Sequence, residues 1–288
     1  MKIAILGALG FLGDNLSQHL LTEGHDVTGF VLNLPERRME GMRYELISNL
    51  LESYIPAMDR DFDVSINLAA RRSTKKNRIS LEEVREYTFR IPREFFLKTA
   101  SSKSLVINAS TYIQNFEGVV GNTVDSYGAA KQELSKFLEL NSQGNPFRAL
   151  DLFLFTAYGR RDRQNHLVPT LIEGAFSGAR IDLSPGHQLM NLIHIQDVVE
   201  NLTRVLTFNS PKRYVKHNLW DEYYYSVREL VSIIEEVTER RIDCNWGALK
   251  YAGHEMLEPW PVPMELLPGF KLSIPLREGI RDLWSMKF

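Results

Sequence analysis

The chain has 288 residues, 44% of them hydrophobic and 24% charged, which is enough for one large or two modest domains around a sizeable core. A formal net charge of -2 gives no electrostatic footprint for nucleic acid or an anionic membrane, and the apolar runs are too short and too interrupted for a transmembrane helix. A single cysteine, Cys244, excludes an intramolecular disulfide, and seven histidines scattered without ligand spacing offer no metal site, so the chain reads as a cytoplasmic protein.

In chain order, "MKIAILGALGFLG" begins like a signal peptide, with Lys2 followed by an apolar run. It lacks a small-residue cleavage site and continues straight into "DNLSQHLLTEGH", so it reads as structure. "KIAILGA" is a buried strand and "FLGDNLSQHLLTEG" a helix closing at Gly24. "DVTGFVL", "YELIS" and "DVSINLAA" follow as strands two to four, then the long helix "SLEEVREYTFRIPREFFLKTAS" with Pro92 inside it. "SLVINAS" is a fifth strand, "VDSYGAAKQELSKFLEL" a helix, and "FRALDLFLF" a sixth strand. Strands of near-continuous apolar character alternating with helices imply an α/β fold, a doubly wound parallel sheet covered on both faces. After about residue 156 the pattern becomes irregular, and prolines crowd the stretch from Pro259 to Pro275. The expected division is a dinucleotide-binding domain over 1–155, with 190–218 returning to it, and a smaller mixed substrate domain over 156–189 and 219–288.

Gly7, Gly10 and Gly13 lie between the first strand and its helix. Glycines there permit a tight turn and let backbone amides approach a pyrophosphate at the positive end of the helix. The spacing is G-x-x-G-x-x-G rather than the G-x-G-x-x-G of most dinucleotide-binding dehydrogenases. An acid that would hold the adenosine ribose of NAD is absent where the second strand ends, at Val31, Leu32 and Asn33, and Arg37 and Arg38 follow. Two arginines suit a 2′-phosphate, so NADP(H) is favoured over NAD(H).

Tyr127 and Lys131 are four residues apart, just over one helical turn, and so project from one face of their helix. A cation ~4 Å from a phenol contributes roughly 4 kcal/mol at an effective dielectric near 20, about three pKa units, which brings a tyrosine into range as an acid or base near neutrality.

Taken together, "GALGFLG", "INLAA", "INAST", "YGAAK", "FTAYGRRD", "HLVPTLI", "NLIHIQDVVENL" and "YSVRELVSII" resemble, in order and over nearly the whole chain, the extended short-chain dehydrogenase/reductases, or NAD-dependent epimerase/dehydratase family. The resemblance implies a Rossmann-like fold and a catalytic set of Thr111, Tyr127 and Lys131. Thr111 would hydrogen-bond the reacting sugar oxygen, Tyr127 would exchange a proton with it, and Lys131 would hold the nicotinamide ribose and lower the Tyr127 pKa. It also implies cofactor contacts at Gly7, Gly10, Phe11, Leu12 and Gly13, at Asn49, at Leu68, Ala69 and Ala70, and at Ser110, besides Tyr127, Lys131, Arg37 and Arg38. Substrate contacts would fall on Thr111, Thr156, Arg160, Arg161 and Arg163. A homodimer built from the helices around Leu81–Ala100 and Tyr127–Leu140 is a further implication, and no metal is.

Within the family, "INASTYIQNFEG" and "NWGALKYAGHEML" are most similar to the reductases that complete CDP-linked 3,6-dideoxyhexoses, the abequose and paratose synthases. A 4,6-dehydratase is disfavoured, because Tyr112 and Ile113 stand where that subgroup carries an Asp-Glu pair. Met190 and Ala252 stand where relatives place arginines toward the substrate diphosphate, and Thr88 where the family has an asparagine; Arg160, Arg161 and Arg163 are the cations available to compensate. The expected function is therefore an NAD(P)-dependent reductase of a nucleotide-linked 4-ketohexose. The alternatives are a nucleotide-sugar 4-epimerase, using the same residues, and a non-catalytic NAD(P)-binding sensor.

Overall fold

The computed structural model describes residues 1–48, 62–73, 78–144, 147–162, 166–260 and 263–287. Asn49 and Arg163, both expected at the site, lie outside the described residues. Seven parallel strands form one sheet. They are β1 (Lys2–Leu6), β2 (Asp26–Val31), β3 (Arg43–Leu46), β4 (Val64–Asn67), β5 (Leu105–Thr111), β6 (Arg148–Leu154) and β7 (Tyr214–Leu219), in the order β7-β6-β5-β4-β1-β2-β3. Apolar residues on both faces of these strands are the reason they run as continuous hydrophobic stretches in the sequence.

One face of the sheet packs Ile3, Ile5, Ile66 and Ile107 against α1 (Phe11–Thr22) and a later helix that returns to it, Ile195–Arg204. The other packs Ala4, Leu6, Phe30 and Val106 against Ile91, Phe95, Leu134 and Leu138 of the helices between β4 and β6. Those helices are α2 (Leu81–Arg85), a π-helical turn over Glu86–Arg90, α3 (Ile91–Thr99) and α4 (Ser126–Gly144). The π turn explains how Pro92 sits inside a long helix: a proline has no N–H for the i−4 bond, and a wider turn just before it absorbs the missing donor.

The order in which strands are added reverses between β1 and β4, since β2 and β3 add on one side and β5 and β6 on the other. At such a switch point the loops leaving the two strands part and open a crevice at their carboxyl ends. The remaining elements form a smaller unit with its own core, in which α5 (Leu167–Ser177), α7 (Val227–Thr238) and α8 (Leu276–Ser285) pack through Leu171, Leu230, Ile234 and Ile280, α6 being the returning helix Ile195–Arg204. Among the described residues no helix is long and apolar enough to cross a membrane.

Candidate active site

The Gly7–Gly13 loop leaves β1 at the switch point. Gly7 has a φ of +83°, and a Cβ there would sit 2.8 Å from the Ala69 backbone nitrogen at the end of β4. A side chain on Gly13 would drive its Cβ into the Gly7 carbonyl. Gly10 is less constrained, because its nearest neighbour would be the Gly7 oxygen at 3.2 Å; it caps α1 with no side-chain hydrogen bond. The first intrahelical bond is donated by Asp14 N to Gly10 O (2.8 Å), so the amides of Phe11, Leu12 and Gly13 open the helix toward the crevice. Bare backbone, an uncapped helix end and close packing on the β4 terminus fit a dinucleotide pyrophosphate. Leu68 donates its N–H to Leu6 O, and Ala69 N–H binds the Asn67 side chain (3.0 Å), which ties the two lips of the crevice together. Beyond β2, Arg37 is exposed and Arg38 lies 6.0 Å from the centre of the Tyr44 ring.

Thr111 ends β5, and α4 brings Tyr127 and Lys131 beneath it. The Thr111 side chain faces the Tyr127 phenol and favours its ionised form. Lys131 is 2% exposed, and its Nζ donates to the Ala109 carbonyl at 2.6 Å. Burial, partly offset by the Asp151 carboxylate, pulls the Lys131 ammonium down to about 8. Burial pushes the Tyr127 phenol up to about 12. The cation that counters this is Arg72, whose guanidinium lies 5.6 Å from the Tyr127 ring centre and pairs with Asp125 at 2.9 Å. Of the two cations near the site, Lys131 turns its ammonium to the Ala109 carbonyl, and Arg72 faces the Tyr127 ring. Thr88 holds that arginine's loop, accepting from Arg71 N (3.2 Å) and donating to Arg71 O (3.1 Å). Asp125 in turn accepts from Gly128 N (2.7 Å) at the start of α4.

Ser110 is placed differently from the expectation of a cofactor contact. Strand alternation turns its hydroxyl away from the Gly loop and into the sheet–α4 interface, where it donates to Asp151 at 2.5 Å.

A cavity of about 340 Å³ opens on the other side of Thr111. Tyr112, Phe155 and Thr156 of the sheet edge line it, facing Met190, Asn191, Lys250, Ala252 and His254 from the smaller unit. Tyr112 stacks on Phe155 with ring centres 4.7 Å apart and planes 5° from parallel. Trp260 closes the aromatic wall, 5.9 Å from Tyr112 and 4.9 Å from Phe116. Thr156, expected to touch substrate, and Met190 and Ala252, which stand where relatives carry arginines, all lie on this wall, whereas its aromatic residues follow no motif in the sequence.

Arg160 and Arg161, offered as replacements for the missing substrate arginines, are absent from this lining. Arg160 forms a bidentate pair with Asp282, its Nε at 2.7 Å, and Arg161 reaches Asp14 and Gln18 on α1. The turn that carries them docks on α1, where Asn15 binds the Arg160 carbonyl, so both guanidiniums are spent joining elements. The basic side chains that line the cavity are Lys250 and His254, the latter kept below the usual histidine range, toward the neutral imidazole, by burial and by the Arg72 charge.

Fold and site together define a Rossmann-type oxidoreductase with a Thr–Tyr–Lys set at its switch point. The profile of the NAD dependent epimerase/dehydratase family matches residues 3–215, and the chain belongs to that family. It is 25% identical over 274 residues to a CDP-abequose synthase of Yersinia pseudotuberculosis, covering 90% of this chain and 92% of that one. A CDP-abequose synthase of Salmonella muenchen is 22% identical over 294 residues, with 99% and 98% covered. Among solved structures, MoeE5 in complex with UDP-glucuronic acid and NAD superposes with a TM-score of 0.83 at 18% identity, over 100% of this chain and 99% of that one, a likeness of fold.

Proposed function

We propose that this NAD(P)-dependent enzyme reduces the 4-keto group of a nucleotide-linked deoxyhexose. The observation that carries the reading is the placing of Tyr127 and Lys131 one turn apart on α4 beside Thr111 at the end of β5, between a pyrophosphate-type loop and a cavity of ligand size. When bound, the nicotinamide supplies the hydride. Thr111 and Tyr127 would converge on the sugar oxygen, where Tyr127 gives the proton that the new hydroxyl needs. Lys131 would hold the nicotinamide ribose, and the amides of Phe11, Leu12 and Gly13 the pyrophosphate. Tyr112 and Phe155 give the cavity a flat apolar wall, which suits a sugar with a deoxygenated edge better than a fully hydroxylated one.

NADP(H) is the proposed cofactor, on the absence of an acid at the end of β2 and on Arg37 and Arg38 beyond it. Calorimetry with both dinucleotides tests this; tighter NAD binding would overturn it and favour the 4-epimerase reading, in which the cofactor is retained through the cycle. A homodimer is proposed on α2, α3 and α4, which are already joined by the Arg85–Glu133 pair at 2.5 Å and leave Leu81, Leu97 and Leu140 exposed. Light scattering of a monomer at micromolar concentration would refute it.

The functional reading itself is tested by the melting temperature with a panel of nucleotide sugars in the presence of NADPH or NAD, followed by turnover of a CDP-linked 4-keto-6-deoxyhexose. A ligand that binds only the native state must stabilise it. No stabilisation by any nucleotide sugar would reject the proposal.

A further inference from the structure

Asp151 is a carboxylate with no exposed surface, in the middle of the apolar strand β6. It accepts four hydrogen bonds, all from neutral side chains: Asn108 at 2.8 Å, Ser110 and Ser135 at 2.5 Å each, and Tyr214 at 3.1 Å. These donors come from β5, α4 and β7. A charge buried this deeply is costly, and an asparagine or serine would serve a purely structural network at less cost.

The network leads to the site from both sides. Ser110 is the residue before Thr111, and Ser135 is one turn after Lys131 on the same face of α4. Gln114 donates to Ser135 (3.0 Å) while its oxygen accepts the Thr111 N–H (3.1 Å). Asn108 also accepts from Asn67 (2.8 Å), whose oxygen holds the Ala69 amide beside Gly7. The strand ends at the crevice and the helix carrying Tyr127 are thus fastened to one carboxylate.

We propose that Asp151 is a positioning residue for the Thr111–Tyr127–Lys131 site, fixing β5 against α4 and supplying the negative charge that keeps Lys131 an ammonium ion. This rests on the reading of that site given above. The groups acting on the Lys131 ammonium are the Ala109 carbonyl of β5, which accepts from it, and the Asp151 carboxylate of β6; Ser135, one turn on along the same helix, and the Tyr214 phenol of β7 both bind Asp151. Asp151 is the charged group whose field favours the ammonium, and burial opposes it. In a site that excludes water, no ion atmosphere can take over that task.

The test replaces Asp151 by two neutral residues, Asp151→Asn and Asp151→Ser, with Tyr214→Phe as a control that removes one donor but leaves the charge. The Lys131 side-chain amine is titrated by heteronuclear NMR, and NADPH and NAD affinities are measured across pH. The expected result is a Lys131 midpoint lower by about one unit or more in the neutral variants. Cofactor affinity should then fail at correspondingly lower pH, about tenfold weaker above both midpoints. Tyr214→Phe should lower the melting temperature and leave the Lys131 midpoint in place. An unchanged midpoint in a folded neutral variant overturns the proposal, as does failure of both neutral variants to fold, which would make Asp151 a folding residue. If the parent binds neither dinucleotide, the functional reading falls, while the Lys131 titration still decides the role of Asp151.

Discussion

The two walls of the cleft are built from different material. The cofactor-facing wall is backbone: Gly7 and Gly13 exclude side chains, and the amides opening α1 are what a ligand would touch. The cavity-facing wall is side chain, with the stacked Tyr112 and Phe155 opposite Met190, Asn191 and Ala252. Backbone geometry admits few residues, so the first wall is written in glycines at fixed offsets. A side-chain wall can be assembled from many residues on many loops, so the second has no short motif. Between the walls stand Thr111, Tyr127 and Lys131, each needing both a residue type and a tertiary neighbour.

The largest effect expected is at the junction. Tyr127→Phe deletes one oxygen and keeps the ring, so cofactor affinity should hold while turnover of a 4-keto nucleotide sugar falls about 10² to 10⁴-fold. A variant that turns over like the parent would remove Tyr127 from the chemistry. Next is the backbone wall. Gly13→Ala forces the loop and α1 apart, at about the 1–3 kcal/mol typical of overpacking, roughly tenfold to a hundredfold in NADPH affinity by calorimetry. Gly10→Ala should cost less, because its neighbour is one carbonyl at 3.2 Å; equal losses would erase the distinction drawn between the two glycines.

A smaller effect is expected at Arg72. Removing its charge with Arg72→Met raises the Tyr127 pKa further, so the limb of the pH–rate profile that reports Tyr127 should move to higher pH. About half to one unit is expected, since the arginine side chain is 32% exposed and already paired with Asp125. A limb that stays in place would return the tuning of Tyr127 to Lys131. The smallest effect lies in the cavity wall: Met190→Arg should tighten binding of a nucleoside diphosphate severalfold by adding a charge-assisted donor. Weaker binding would mean that Met190 does not face the diphosphate.

Much of the fold was legible because its constraints are local. Apolar strands alternating with amphipathic helices gave the parallel sheet, and the Tyr127–Lys131 spacing placed both residues on one helical face. Asp151 also left a trace: an acid inside "FRALDLFLF" is out of place in a buried strand, and that signal could have been followed. Arg72 left none, since an arginine in "AARRST" looks like any solvated loop cation until its neighbour across the crevice is known.

Sequence by itself determined the backbone requirements, the class of chemistry and the order of the elements, because φ angles, side-chain periodicity and residue type are properties of a short stretch of chain. Only the tertiary structure decided where each charge points. It turned Lys131 to the Ala109 carbonyl, set Arg72 against the Tyr127 ring, committed Ser110 to Asp151 and drew Arg160 to Asp282. Long polar side chains reach several ångströms from their backbone, and their partners come from elements dozens of residues away. Which partner a charge takes is fixed by packing, after the local pattern has been used up.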